Sequence, residues 1–265
     1  MDDVRHDMRA PTSLQVVAAI ARREIAIALR RRLVKLLFLV NLVPPLVMGI
    51  ILVVNTMIRQ AGFDLGWDPL LRLMQIQAGP VLLLALGIGT PLVARDRSED
   101  VLFLYATRPV TPWSYTLGKM IAVALPAVAL LVVPGVMIAI LRQGLMDDFG
   151  LADSFVLIGK VVVAAALMAW GYSGVTVGSS AVAKKARWAL LLTFACFAIP
   201  SAISQIIWGD AGYALDAGKA VKDLLGTLFE MDFIRYGVVA GLVLAIWGAL
   251  GALVTSARVR REMTP

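Results

Sequence analysis

Between two long apolar runs, residues 95–119 (RDRSEDVLFLYATRPVTPWSYTLGK) carry seven charged side chains. Their types and spacing suit recognition rather than catalysis. Ser98 can cap a helix, with Glu99 and Asp100 in the first turn, where the helix dipole favours carboxylates. Val101, Leu102, Phe103, Leu104 and Tyr105 then give a short helix more apolar than a solvated loop needs. Arg108 and Pro109 stop it, because a residue before proline is pushed out of the α region. Thr111 and Pro112 read as N-cap and first position of the next helix. Such a short helix, apolar on one side and held outside a membrane, fits a groove on a partner.

Other chemistry is excluded by what is missing. The Gly-Lys pairs at 118, 159 and 218 lack both the preceding glycine and the following Ser/Thr of a phosphate cradle. H-E-x-x-H and G-x-S-x-G are absent, so the sequence predicts no enzyme and no cofactor or metal held by this chain. One cysteine, Cys196, excludes an internal disulfide and lies in an apolar run, where it reads as a small buried hydrophobe. With 60% hydrophobic and 16% charged residues, the chain departs from soluble domains, in which roughly a quarter of residues are charged.

The elements that position residues 95–119 follow from periodicity. Residues 13–32 place Leu14, Val17, Ala18, Ala21, Ile25, Ala28 and Leu29 at spacings of three and four, with Arg22, Arg23, Arg30 and Arg31 on another face. That pattern predicts an amphipathic helix at an anionic membrane surface, or one packed on a partner protein. Six spans follow, at residues 33–58, 78–94, 120–141, 155–178, 188–207 and 236–255, each near the ~20 apolar residues that cross a bilayer. Lipid satisfies no backbone group, so the fold is all-α: a polytopic membrane protein, residues 1–265 forming one transmembrane domain. Asn41 with Pro44 and Pro45 should kink the first span. The loop 208–235 contains Val221, Leu224, Leu225 and Leu228 at helical spacing, an amphipathic helix at the membrane surface.

Orientation follows from the basic residues. Eighteen Lys/Arg fall on the side holding both termini and the 95–119 loop, against six on the other. Positive residues stay cytoplasmic, so both termini and the loop are expected inside. The six spans contain no Asp, Glu or His, which disfavours a proton relay. Lys160, inside the fourth span near its outer end, reads as a snorkelling side chain or a substrate contact. Asn41, Asn55, Ser173 and Thr176 either line a polar path or bond between helices. Gly174-x-x-x-Gly178 and Gly237-x-x-x-Gly241 permit close helix contact. Trp113 and Tyr115 fit the interfacial aromatic belt.

The acidic pair Glu99-Asp100, the short apolar helix, Arg108-Pro109-Val110 and Gly118-Lys119 leading into a span resemble the permease subunits of type 2 ABC exporters, as does Arg22-Arg23-Glu24. The family usually has Gly-Thr just after the acidic residue, where this chain has Asp100-Val101. The resemblance implies the permease of a bacterial inner-membrane exporter, and the few polar residues in the spans imply a substrate that is lipid-like or amphiphilic, or one enclosed by a mostly apolar wall. The resemblance further implies a second permease, identical or homologous, two copies of a separate ATPase holding ATP and Mg, and no nucleic acid. Residues 95–119 would be the cytoplasmic coupling loop, with Glu99, Asp100, Val101, Leu102, Phe103, Leu104, Tyr105 and Arg108 docking on the ATPase. The other class of function is a non-transporting membrane anchor, scaffold or mechanical transmitter driven through the same loop.

The charge bias gives the first prediction. Reporter fusions at Asp147 and Asp216 should read outside the cell and fusions after Pro265 inside. An external C-terminus would sink the six-span topology.

Overall fold

A backbone that crosses lipid has to satisfy its own polar groups, and among the described residues every regular element is a helix. The computed structural model describes residues 12–60, 68–106, 110–145, 150–206, 216–230 and 234–263; the side chains of Arg59, Gln60, Phe103, Leu104, Ala106, Gln205, Glu230, Ile234 and Arg235 lie outside that description. The helices are α1 (Ser13–Leu29), α2 (Arg32–Val40), α3 (Val43–Gln60), α4 (Pro69–Ser98), α5 (Val101–Ala106), α6 (Pro112–Leu145), α7 (Leu151–Val182), α8 (Ala186–Ile206), α9 (Ala217–Glu230) and α10 (Ile234–Met263). Six segments are long and apolar enough to span: Arg32–Ile58, Pro69–Ser98, Pro112–Leu145, Leu151–Val182, Ala186–Ser204 and Tyr236–Met263. The chain is an all-α, multi-pass membrane protein.

The helices overrun the apolar windows that locate them. The second starts at Pro69 rather than residue 78, because Asp68 caps it, its Oδ1 accepting from the Leu70 N–H at 2.8 Å, and a proline needs no donor in the first turn. It also continues through Arg95, Asp96 and Arg97, charges that read as loop in the sequence. The third starts at Pro112, where Thr111 and Ser114 exchange bonds: each backbone N–H donates to the other's hydroxyl. Helix α1 and the last turns of α10 lie at one end, since Arg97 of α4 pairs with Glu262 of α10 and Lys119 of α6 with Glu24 of α1. This is the basic end. The far end carries the Asp68–Arg142 pair (3.0 Å) and α9. There Val221, Leu224 and Leu225 are buried, and α9 packs on α10, α4 and α7.

Prolines inside three spans each free a carbonyl one turn back. Pro91 leaves the Gly87 oxygen without its donor, and Arg31 Nη1 donates to it at 2.9 Å. Pro134 does the same to Leu130, whose oxygen accepts from Asn41 Nδ2 at 3.0 Å. Beyond Pro91, the Ser180 hydroxyl of α7 donates to the Thr90 oxygen (2.7 Å) and accepts from the Val93 and Ala94 N–H groups (3.0 and 2.9 Å). A side chain inserted in the ladder bends a helix. The first span breaks where expected: α2 ends at Asn41, and α3 restarts with Pro44 and Pro45 in its first turn.

Helices α7 and α10 make the closest contact, through Gly174 and Gly178 against Gly248 and Gly251. The Trp170 indole N–H donates to the Ala245 oxygen at 3.1 Å beside that seam. The second spaced pair serves differently: Gly237 faces Thr227 of α9, and Gly241 has only ordinary contacts. A β-carbon at Gly174 would stand 2.5 Å from the Gly248 Cα. Gly174→Val should therefore cost about 1–3 kcal/mol or more, the range for overpacked cores. Thermal unfolding in detergent tests this, with Gly79→Ala, where nothing lies within 4 Å, as the comparator expected to hold its melting temperature.

Candidate functional site: a buried ion cluster beneath a short helix

Helix α1 is set by a capping box: the Thr12 hydroxyl accepts from Gln15 N (3.4 Å), and Gln15 Oε1 accepts from Thr12 N (2.9 Å). Its buried stripe is Val17, Ile20, Ala21, Glu24 and Ala28, and it packs on α6. Gly118 lets α1 approach, since a β-carbon there would lie 2.8 Å from the Ile20 side chain. That contact brings Glu24 beside Lys119. Of the expected apolar stripe of α1, Val17, Ala21 and Ala28 face protein, while Leu14, Ala18 and Leu29 are exposed, as are Arg22, Arg23 and Arg30. Arg31 is half-buried, and burial beside Arg95 lowers its pKa from the ordinary value.

Lys119 has no exposed surface. Its Nζ lies 2.9 Å from Glu24 Oε1 and 2.6 Å from Asp96 Oδ2, with the Leu92 oxygen at 3.5 Å. Tyr115, one helical turn before Lys119, donates its hydroxyl to Asp96 Oδ2 at 2.8 Å, and the ammonium sits 5.2 Å from the Tyr115 ring centre. Arg95 Nη2 stands 3.8 Å from Glu24 Oε2, so two carboxylates face two cations. One cluster thereby ties α1, α4 and α6. The Tyr105 ring meets Tyr115 edge-on at 5.3 Å, and Arg23 Nη1 donates to the Tyr105 hydroxyl at 3.3 Å. Those two contacts attach α5.

A second clamp stands beside it. Arg97 pairs with Glu262 through Nε (3.0 Å) and Nη2 (2.7 Å). Its Nη1 donates to the Ala181, Val182 and Ala183 oxygens, carbonyls at the end of α7 that have no helical donor.

The residues expected to dock on a partner divide. Ser98 does not cap α5: α4 runs through it, and its hydroxyl donates back to the Arg95 oxygen at 2.9 Å. Glu99 is instead the C-cap of α4, and Asp100 takes a left-handed conformation (φ 53°) that turns the chain into α5. Glu99 and Asp100 are exposed, Val101 and Tyr105 half-buried, and Leu102 buried in the core. Helix α5 packs on α10 and α4. The Phe103 and Leu104 side chains and the whole of Arg108 lie outside the described residues. Trp113 is half-exposed (49%). Tyr115 is a correction: expected in the interfacial belt, it is fully buried, because its hydroxyl has a carboxylate to bond inside the bundle.

Sequence periodicity had a signal for Glu24, which continues the stripe Val17–Ile20–Ala21 by three residues. Asp96 and Lys119, 23 positions apart, had no local signal at all. Chemically the cluster is closed: no group of three His, Cys, Asp or Glu side chains among the described residues is placed for a metal. No protein-family model matches the chain, and a search of curated proteins gives no match.

Removing one member of a buried ion set strands its partners, typically at about 3–5 kcal/mol. Lys119→Met should lower the melting temperature sharply, and Glu24→Gln with Asp96→Asn added to it should restore most of the loss. A triple variant no better than Lys119→Met would mean the cost lies in packing.

Proposed function

We propose that this chain is the permease half of an ATP-driven type 2 ABC exporter in the bacterial inner membrane, with the basic end cytoplasmic. The observation that supports this best is α5, a six-residue helix beyond the spans whose Tyr105 leans on the Tyr115–Asp96–Lys119–Glu24 cluster. A push on α5 meets a rigid ion set shared by three helices, so it moves them together rather than bending one loop. The left-handed Asp100 adds a second support. That conformation suits glycine best, and the resembled family usually has glycine at this place.

In this reading two permeases, identical or homologous, work with two copies of a separate ATPase that binds ATP and Mg. Closure of the ATPases drives α5, and the spans alternate between two packings. The exposed faces of α3 and α8, with Leu46, Ile50, Met57, Leu191, Phe194 and Ile199, are apolar and meet lipid or the second permease. Cargo that moves among such walls is lipid-like or amphiphilic.

The purified chain alone should hydrolyse no ATP above background, and nucleotide binding by it would remove the case for an ATPase in trans. Phe103→Ala should weaken co-purification of the ATPase by roughly thirtyfold in affinity, the equivalent of ~2 kcal/mol for an aromatic anchor. Glu99→Lys should do likewise by charge reversal, with the melting temperature of the chain unchanged. A variant that melts early yet still retains the ATPase would assign α5 to folding.

A further inference from the structure

Buried polar side chains in the spans nearly all find partners. Thr90, Thr116, Thr176, Thr193 and Thr255 each donate to a carbonyl one turn back, and Ser180 and Asn41 bond across helices. Among the described residues Gln77 of α4 is the fullest exception, while Asn41, whose Nδ2 donates, leaves only its Oδ1 without a partner. Gln77 has no exposed surface, and neither Oε1 nor Nε2 has a hydrogen-bond partner. Asn55 of α3, 4% exposed, has an unpartnered Oδ1. Helices α3 and α4 pack on each other, and both residues lie in the half of the bundle away from the basic end. Each interrupts an otherwise apolar buried stripe: Met48 and Leu52 before Asn55, and Leu70, Met74, Val81 and Leu84 around Gln77. Apolar residues would fill both positions without the cost of an unmade hydrogen bond. Carboxamides at membrane depth ordinarily bond to a neighbouring helix, as Asn41 Nδ2 does; Gln77 makes no such bond, and Asn55 Oδ1 accepts none.

We propose that Gln77, together with Asn55, is a contact point for a neutral hydrogen-bonding group, a hydroxyl or an amide, on the transported molecule, reached from the far end when α3 and α4 part. The proposal rests on the transport reading above. The chemistry selects the group. A carboxamide offers donors and an acceptor without charge. No Asp, Glu, Lys or Arg occurs in residues 36–58 or 73–94, so a charged group entering here would find no counter-charge. The enclosed arrangement is then the closed state, and the unmade bonds of Gln77 favour its opening.

The test places cysteines singly at Gln77 and Asn55 in a Cys196→Ser background, in the complex with its ATPase, and applies a membrane-impermeant thiosulfonate from the far side. Labelling of Gln77→Cys during ATP turnover should exceed the Cys196→Ser background by about tenfold or more, at a rate set by the opened fraction. An unlabelled Gln77→Cys in the nucleotide-free, ATP-trapped and turnover states alike overturns the proposal. Gln77→Met, similar in length and apolar, should melt no lower than the parent. A lower melting temperature overturns the proposal, because the carboxamide would then be a structural bond. Failure of the transport reading shows separately, as an ATPase that does not co-purify. Failure of this inference shows as an unlabelled cysteine in a complex that still turns over ATP.

Discussion

An ammonium group shut away from water is costly unless carboxylates stand against it, and two stand against that of Lys119. Each carboxylate arrives on a different helix, so α1 and α4 have one permitted height and one permitted rotation against α6. Apolar faces alone would not impose this, since in lipid one buried leucine is much like the next. The contacts around the cluster follow from it. Gly118 is bare because Ile20 has to come close, Tyr115 turns inward to the shared carboxylate, and Tyr105 rests on Tyr115. The short helix at the basic end is thus attached to the most rigid chemistry in the molecule.

The middle of the bundle is held by a different economy of polar groups. Prolines bend α4 and α6 but leave carbonyls that lipid cannot satisfy. Arg31, Asn41 and Ser180 reach the opened ladders from three other segments. These bonds do what water does for kinked helices in soluble proteins, and they fix where each kink points. Small residues do the rest, bringing α7 and α10 close enough for backbone to touch backbone at Gly174 and Gly248.

What was legible in the sequence was whatever one helix decides for itself. The six spans, the kink at Asn41, the start at Thr111-Pro112 and helix α9 all follow from local apolar runs and cap residues. The helix ends were less legible. Arg95, Asp96 and Lys119 look like solvated loop until the partner charges are known to lie opposite. Tyr115 was misplaced for the same reason, as an interfacial aromatic is indistinguishable in sequence from one bonded to a buried carboxylate. Gly174 and Gly178 were visible as a spaced pair, but their partners Gly248 and Gly251 are three apart and carry no such motif. Pairing across more than 70 positions is a tertiary fact, and a single chain read along its length does not contain it.

The two repaired prolines also set a temporal order. Arg31 and Asn41 are made early, and the carbonyls they serve follow 56 and 89 residues later. Glu24 likewise waits 95 residues for Lys119. During synthesis Glu24, Arg31 and Asn41 therefore all precede the groups that answer them. The second and third spans each bring one proline-freed carbonyl, at Gly87 and at Leu130, whose donor stands earlier in the chain. A chain made from its N-terminus thus presents these donors before the carbonyls they serve.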